Sequence, residues 1–213
     1  MSPAAPGGAG ERLIVFARAP MLGLVKTRIA SALGAEIALA AHVELLGRVA
    51  GNLEAIRSAV ICATPDDALD KIEPWRRPGW DLWPQGGGDL GDRLARAFQR
   101  SFGEGAERVV VIGSDCPDVR LDQIENAWRL LRSSPAVFGP ARDGGYWLIG
   151  LSRMIPELFA NMPWSSDRLL EATIAEVQRQ DLGFELLETL ADIDTAADWI
   201  EFQLRERQEG ARD

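Results

Sequence analysis

A run of four β-branched apolar residues, Val109 to Ile112, constrains the fold of this 213-residue chain more than any other feature. A strand with one face in water alternates polar and apolar residues, but this run is apolar on both faces. Strands of this kind lie inside parallel sheets that helices cover on both sides. The run therefore predicts an α/β fold in which this segment is a central, parallel strand.

Other apolar runs alternate with helical patterns along the chain. Leu13–Ala17 and Ala59–Ala63 precede the central run, and a helix with an apolar stripe is predicted between them. In the later third, the strong turn signal Asp143–Gly145 precedes the strand Tyr146–Leu151, whose pairing can be antiparallel. We predict one αβα sandwich with a mostly parallel central sheet and an antiparallel addition in its later third.

The domain boundaries follow from composition. Residues 1–10 are small and rich in Pro and Gly, and residues 208–213 are charged, so we predict a disordered tail, one domain over 11–207, and a frayed end. The start has no basic region and no apolar core of a signal peptide, and no apolar run could span a membrane. Cys62 and Cys116 lack CxxC spacing, which favours reduced structural thiols in a cytoplasmic protein.

The residue inventory excludes several kinds of chemistry. The chain carries 23 basic and 32 acidic residues, a net charge of −9, which argues against a nucleic-acid partner. Its only histidine, His42, lies inside a helical pattern, which favours a structural or surface role. Ser/His or Cys/His catalysis therefore has almost no residues to draw on. The remaining candidates for chemistry are carboxylates and cations.

Asp115 ends the central strand, between Gly113 and Pro117. Ligands of open α/β sheets bind at the carboxyl ends of the strands. A carboxylate at the end of a buried strand needs a partner, and a divalent cation that carries phosphates is the obvious one. The alternative is a turn or helix-capping role.

A cationic loop, RAPMLGLVKTR at residues 18–28, follows the first strand. A loop with a glycine before a helix presents backbone N–H groups to anions. Arg18, Lys26 and Arg28 add the charge that a polyphosphate needs. The loop has neither GxGxxG nor P-loop spacing. It predicts phosphate binding, with solvated cations as the alternative.

Two further segments carry weaker signals. The glycine-rich loop QGGGDLGDR, residues 85–93, can approach a flat ligand, and Gln85 could read a base edge. The turn at Asp143–Gly145 is either a plain hairpin or the wall of a pocket.

Near the end of the chain, Asp192 or Asp194 could be a second metal carboxylate. In the alternative, Thr195 and Asp198 form a helix-capping box, beside which Asp194 lies in a favourable helix dipole.

Six motifs follow one another in order between Phe16 and Trp199: FARAPMLGLVKTR, GDLGDR, GSDCPD, GPARDGGYWLIGL, PWSSD and DIDTAADW. With them the sequence resembles the nucleotide-diphospho-sugar transferase superfamily. More narrowly, it resembles the bacterial glycosyltransferases known as the selenodomain-associated or arsenosugar-biosynthesis type. The resemblance implies a single-domain, Rossmann-like glycosyltransferase-A fold.

The resemblance also implies a role for individual residues. Nucleotide-binding residues would be Arg18, Pro20, Gly23, Lys26, Arg28, Gln85, Gly88, Gly91 and Asp115. Acceptor-binding residues would be Gly144, Gly145 and Tyr146, and catalytic residues Asp143 and Lys26. Asp115 would bind Mg²⁺ or Mn²⁺. Since SDCPD replaces a DxD motif, the second ligand would be Asp194 or Asp118.

Two reactions fit these roles. A nucleotide-diphospho-sugar could give its sugar to a small-molecule acceptor, with a metal ion on the leaving group. Alternatively, an NTP could be attacked with release of pyrophosphate, since the KTR at 26–28 resembles the loop of phospholactate guanylyltransferase-like enzymes. A nucleotide-binding domain without turnover is the third possibility. Neither a nucleic acid nor a membrane is an expected partner.

Overall fold

The computed structural model describes residues 7–210, so most of the predicted tail at 1–10 and part of that at 208–213 lie outside the described residues. Within this range, seven strands form: β1 Glu11–Arg18, β2 Ala59–Thr64, β3 Trp80–Pro84, β4 Arg108–Gly113, β5 Ala136–Pro140, β6 Tyr146–Leu151 and β7 Phe184–Leu186. Six α-helices accompany them: α1 Thr27–Leu33, α2 Ala35–Asn52, α3 Leu90–Gly103, α4 Leu121–Leu130, α5 Leu169–Arg179 and α6 Ala196–Glu209.

The strands form one sheet in the order β3-β2-β1-β4-β6-β5-β7. Every pairing is parallel except those of β6, which runs antiparallel to β4 and β5. The central position of β4 and the antiparallel addition confirm the predicted fold class.

Helices cover both faces of the sheet and explain the continuous apolar run in β4. Val110 and Ile112 pack in the core beneath α2 and α4. Val109 and Val111 face the opposite side, in the core beneath α3 and α5. Because both faces are buried, neither set of alternating positions tolerates a polar residue.

The C-terminal helix α6 packs against α1 and α2. Trp199 and Phe202 pack in a small core with Ile29 and Leu45. The predicted capping box is confirmed, because the Thr195 side chain accepts from the Asp198 backbone N–H and the Asp198 carboxylate caps in return. This packing holds α6, and the Asp194 segment before it, next to the start of α1.

One helix and one helix end differ from the prediction. The separate helix α1 was not expected, and α6 continues to Glu209, beyond the predicted start of the tail at 208. No helix in the described part of the chain combines the length and the apolar character needed to cross a membrane.

Candidate functional site

A cavity of about 770 Å³ opens at the carboxyl edge of the sheet. It lies above the ends of β1, β2 and β4, where ligands of such sheets bind. It is lined by Phe16, Ala17, Arg18, Leu24–Arg28, His42, Thr64, Gln85, Gly88–Leu90, Arg93, Gly113–Asp115, Ser165 and Asp194. The cationic loop, the glycine-rich loop, the end of β4 and the segment before α6 therefore meet at one place.

Lys26 joins three of these segments. Its Nζ lies 2.8 Å from Asp115 Oδ1 and 3.0 Å from Asp194 Oδ1. It also donates a hydrogen bond of 2.6 Å to the carbonyl oxygen of Ile193. An ammonium group has three donors, so protein oxygens satisfy all of them. The two carboxylates predicted as metal ligands thus lie side by side, with an ammonium between them.

The backbone of Lys26 takes a conformation that favours glycine. Its φ of 46° and ψ of 48° are left-handed, at the position just before α1. A side-chain-bearing residue in this region costs on the order of 1 kcal/mol. Burial alone would lower the pKa of Lys26, but the charges of Asp115 and Asp194 outweigh it and raise the pKa above its usual value. The fold accepts backbone strain where this ammonium is held.

Asp115 and Asp194 keep oxygens available for a ligand. Their side chains are 43% and 38% exposed, whereas that of Lys26 is 5% exposed. Mg²⁺ is commonly held by one or two protein carboxylates together with substrate phosphates and water. Over residues 7–210, no three His, Cys, Asp or Glu side chains cluster in a way that could hold a metal ion. The pair fits a cation shared with phosphates better than one held by protein alone.

Asp192 is a buried neighbour of this pair. Burial raises its pKa to about 7, and the charges of Asp115, Asp194 and Asp143 add to the effect. Asp192 does not line the cavity. Of the two acidic residues weighed before α6, the structure therefore places Asp194 at the site and Asp192 behind it.

Three arginines bring positive charge to the cavity. Arg18 and Arg28 come from the cationic loop, as predicted, and Arg93 from α3. The Arg28 side chain is 69% exposed, with Nη1 3.9 Å from Asp194 Oδ2. Pro20 and Gly23, also predicted to bind the nucleotide, are not among the lining residues.

Gln85 anchors its loop. It is buried, and its Nε2 donates to the carbonyl oxygens of Ala17 at 3.1 Å and Cys62 at 2.9 Å. Both amide protons are therefore engaged at the ends of β1 and β2, and Oε1 accepts from Arg93 at 3.4 Å. Reading a base edge with the amide N–H, as predicted, would require breaking these bonds.

The two glycines predicted near the base differ in position. Gly88 lines the cavity, with φ at 96°. Gly91 is buried in the first turn of α3, where an added Cβ would meet the Phe159 carbonyl oxygen at 2.4 Å and the Trp164 ring at 2.8 Å. Gly91 therefore serves packing rather than contact with a cavity ligand.

The predicted acceptor segment, Asp143 to Tyr146, does not line the cavity. Asp143 Oδ1 accepts a 2.9 Å hydrogen bond from the Gly145 N–H, which closes the turn. Gly144 has a φ of 88°, and an added Cβ would lie 2.0 Å from the Asp167 carbonyl oxygen. The Tyr146 hydroxyl is buried without a hydrogen-bond partner among the described residues, and burial raises its pKa.

Asp118, weighed as a second metal ligand, is turned away from Lys26. Its two oxygens accept from Arg205 on α6, at 2.7 and 3.0 Å. His42 has the structural role favoured by the sequence. Its Nε2 lies 2.8 Å from the Arg18 carbonyl oxygen, and burial lowers its pKa.

Sequence reasoning missed that Arg93 and His42 line the cavity. Arg93 ends the GDLGDR motif one helical turn after the N-cap Asp89, a spacing that returns its side chain to the loop. His42 lies within an ordinary apolar stripe, and nothing local marks it as a cavity residue.

Comparisons with known proteins show the family to which the chain belongs. A crystal structure from Desulfovibrio desulfuricans G20, provisionally described as a nucleotide-diphospho-sugar transferase, is 30% identical. Its TM-score is 0.82, over 88% of this chain and 84% of the other. The chain belongs to the nucleotide-diphospho-sugar transferase superfamily, which confirms the resemblance. Within it, the chain belongs to the family described as "Uncharacterized protein conserved in bacteria (DUF2064)", whose model matches residues 50–166.

More distant structures share the fold alone. A 4-diphosphocytidyl-2C-methyl-D-erythritol synthase from Anaerococcus prevotii DSM 20548 is 14% identical, with a TM-score of 0.61 over 90% of this chain and 95% of the other. A cytidylyltransferase from Leptospira borgpetersenii is 13% identical, with a TM-score of 0.59 over 90% and 84%. No curated protein matches the sequence.

Proposed function

We propose that the protein is a metal-dependent transferase that moves a sugar from a nucleotide-diphospho-sugar to a small acceptor. One observation carries the proposal: Asp115 and Asp194, from distant parts of the chain, converge on one point of a cavity that three arginines also line. Paired carboxylates beside cations suit a metal-bound diphosphate. The description of the 30% identical relative supports the same class of donor.

In the proposed reaction, separate groups of cavity residues bind the phosphates and the metal ion. Arg18, Arg28 and Arg93 bind the phosphates, and the Gln85–Gly88 loop shapes the adjoining wall. Asp115 and Asp194 would hold Mg²⁺ or Mn²⁺, which would neutralise charge on the leaving diphosphate.

In the transfer step, the acceptor oxygen forms a bond to the anomeric carbon as the bond from that carbon to the diphosphate breaks. The nucleoside diphosphate leaves with the electron pair, and the acceptor proton passes to a base. Asp143 is our candidate for this base, although it does not line the nucleotide cavity itself. Its charge adds to the burial that raises the pKa of Asp192 next to the Asp115–Asp194 pair, and its Oδ2 is not used in the bond from Gly145, so an acceptor bound beside the cavity could reach it.

Nucleotidyl transfer is the second candidate. Three arginines besides Lys26 line the cavity, a concentration of charge that suits a triphosphate. In this reaction a substrate oxygen attacks the α-phosphorus of an NTP, and pyrophosphate leaves with the electron pair.

The two reactions give different products from the same enzyme preparation. With Mn²⁺ and candidate acceptors, sugar transfer releases a nucleoside diphosphate from a UDP- or GDP-sugar and gives no pyrophosphate from NTPs. Pyrophosphate release from an NTP would overturn sugar transfer and support the second candidate. Tight nucleotide binding without either product would instead indicate a binding domain without turnover.

A further inference from the structure

We propose that the Lys26 ammonium keeps a lone divalent cation out of the Asp115–Asp194 pair, so that a cation enters only together with phosphates. Lys26 is then a positioning residue that sets the order of binding rather than a permanent phosphate ligand. The inference rests on the proposed function only in taking Asp115 and Asp194 as the cation's ligands.

The contacts of Lys26 carry the first step. Its Nζ lies 2.8 and 3.0 Å from one oxygen of each carboxylate. A divalent cation on the same oxygens would bind at about 2.0–2.6 Å, which brings it within reach of the ammonium. Two like charges this close repel strongly in a partly buried site. Lys26 and a lone cation therefore compete for the same oxygens.

The backbone carries the second step. Lys26 is held by its own left-handed conformation, by the start of α1 directly after it, and by its bond to the Ile193 carbonyl oxygen. Its side chain is almost fully buried, so the ammonium cannot simply swing into water. Phosphate oxygens are negatively charged, as the two carboxylates are, so they offer the ammonium a new partner. They can also complete the shell of the cation, so phosphate and cation are expected to bind cooperatively.

The chain provides a matched control, because Lys71 is its only other lysine and is exposed. We expect Lys26→Met to bind Mn²⁺ alone at least roughly tenfold more tightly than the wild type, within the range by which neighbouring groups change metal affinity. Lys71→Met should bind as the wild type does. Mn²⁺ titration followed by electron paramagnetic resonance measures free and bound metal directly.

A second variant and a second probe keep the test decisive. Lys26→Gln removes the charge but can still donate to both carboxylates, so it should fold even if Lys26→Met does not, and it should also gain Mn²⁺ affinity. In the wild type, inorganic pyrophosphate should tighten Mn²⁺ binding, and this effect should shrink in Lys26→Gln.

Equal Mn²⁺ affinity in the wild type and the Lys26 variants would overturn the proposal, whether or not the protein binds nucleotides. Failure of every nucleotide to bind would sink the proposed function, while the comparison with Mn²⁺ alone would still decide the role of Lys26.

Discussion

Two acidic segments end at the same edge of the sheet but use their carboxylates differently. In Ser114–Asp118, Asp115 presents its carboxylate to the cavity and meets a cation from another element. In Asp143–Tyr146, the Asp143 carboxylate folds back on the Gly145 N–H two residues later. An aspartate beside a glycine can satisfy itself locally, whereas one at a strand end takes its partner from elsewhere in the fold. The comparison separates a ligand-facing aspartate from a turn-forming one.

The largest effect should come from breaking the turn itself. Gly144→Ala combines left-handed backbone with a Cβ 2.0 Å from the Asp167 carbonyl oxygen. We expect a loss of about 3 kcal/mol in the free energy of unfolding, since both overpacking and the left-handed conformation add to the cost.

Gly105→Ala is the matched control, because Gly105 also has a positive φ, 92°, but open space around it. It should lose only about 1 kcal/mol. Urea unfolding followed by circular dichroism measures both. Equal losses would mean that the close approach to Asp167 does not hold the turn.

The next largest effect sharpens the comparison at the carboxylates. Asp115→Asn should weaken Mn²⁺-dependent nucleotide binding at least roughly 100-fold, because it removes a charge that faces the cavity. Asp143→Asn should leave this binding within about twofold, since its side chain is engaged in the turn and does not line the cavity. Isothermal titration with the nucleotide that binds best measures both. Similar losses in the two variants would erase the distinction.

A smaller effect on nucleotide affinity is expected from Arg28, whose side chain lines the cavity but is largely exposed. Arg28→Met should weaken nucleotide binding roughly fivefold to tenfold, less than an ideal ion pair would suggest, because water screens an exposed guanidinium. The effect should fade as salt rises. Arg207→Met, an exposed cation on α6, is the control and should bind as the wild type does. A salt-independent loss would mean that Arg28 acts through packing.

The smallest effect concerns two buried thiols, that of Cys62 in β2 and that of Cys116 just after β4. Burial raises the pKa of Cys62 to about 12, and burial with the charge of Asp192 raises that of Cys116 to about 12. At pH 8 roughly one thiol in ten thousand would then be the reactive thiolate. Native protein should react slowly with a disulfide reagent, and unfolded protein should react at both cysteines. Rapid native labelling of Cys116 would show that the segment beside Asp115 opens.

Features decided by short-range pattern could be predicted from the sequence. The apolar run at Val109–Ile112 gave the central strand, and the spacing of Thr195 and Asp198 gave the cap of α6. Asp115 could be placed at the ligand-binding edge of the sheet because it closely follows a parallel strand, and such strands all end at that edge. Each of these depends on neighbours a few residues away.

Features decided by distant partners could not be predicted. Asp118 and Asp115 belong to one short motif, yet Arg205, 87 residues later in the chain, takes Asp118 out of the site. Gly88 and Gly91 look alike in the loop, and only the approach of Phe159 and Trp164 makes Gly91 a packing residue. Lys26 looked like a free phosphate ligand because its oxygen partners come from other segments.

The separation of Lys26 and Asp194 by 168 residues also has a consequence for synthesis. Ribosomes deliver the chain from its N-terminus, so the cationic loop and β4 emerge well before Asp194 does. Until α6 docks against α1 and α2, Lys26 contacts Asp115 but lacks its second carboxylate partner, Asp194. Ligand affinity in a translating chain should therefore appear late and abruptly, when α6 docks and brings Asp194 to the site.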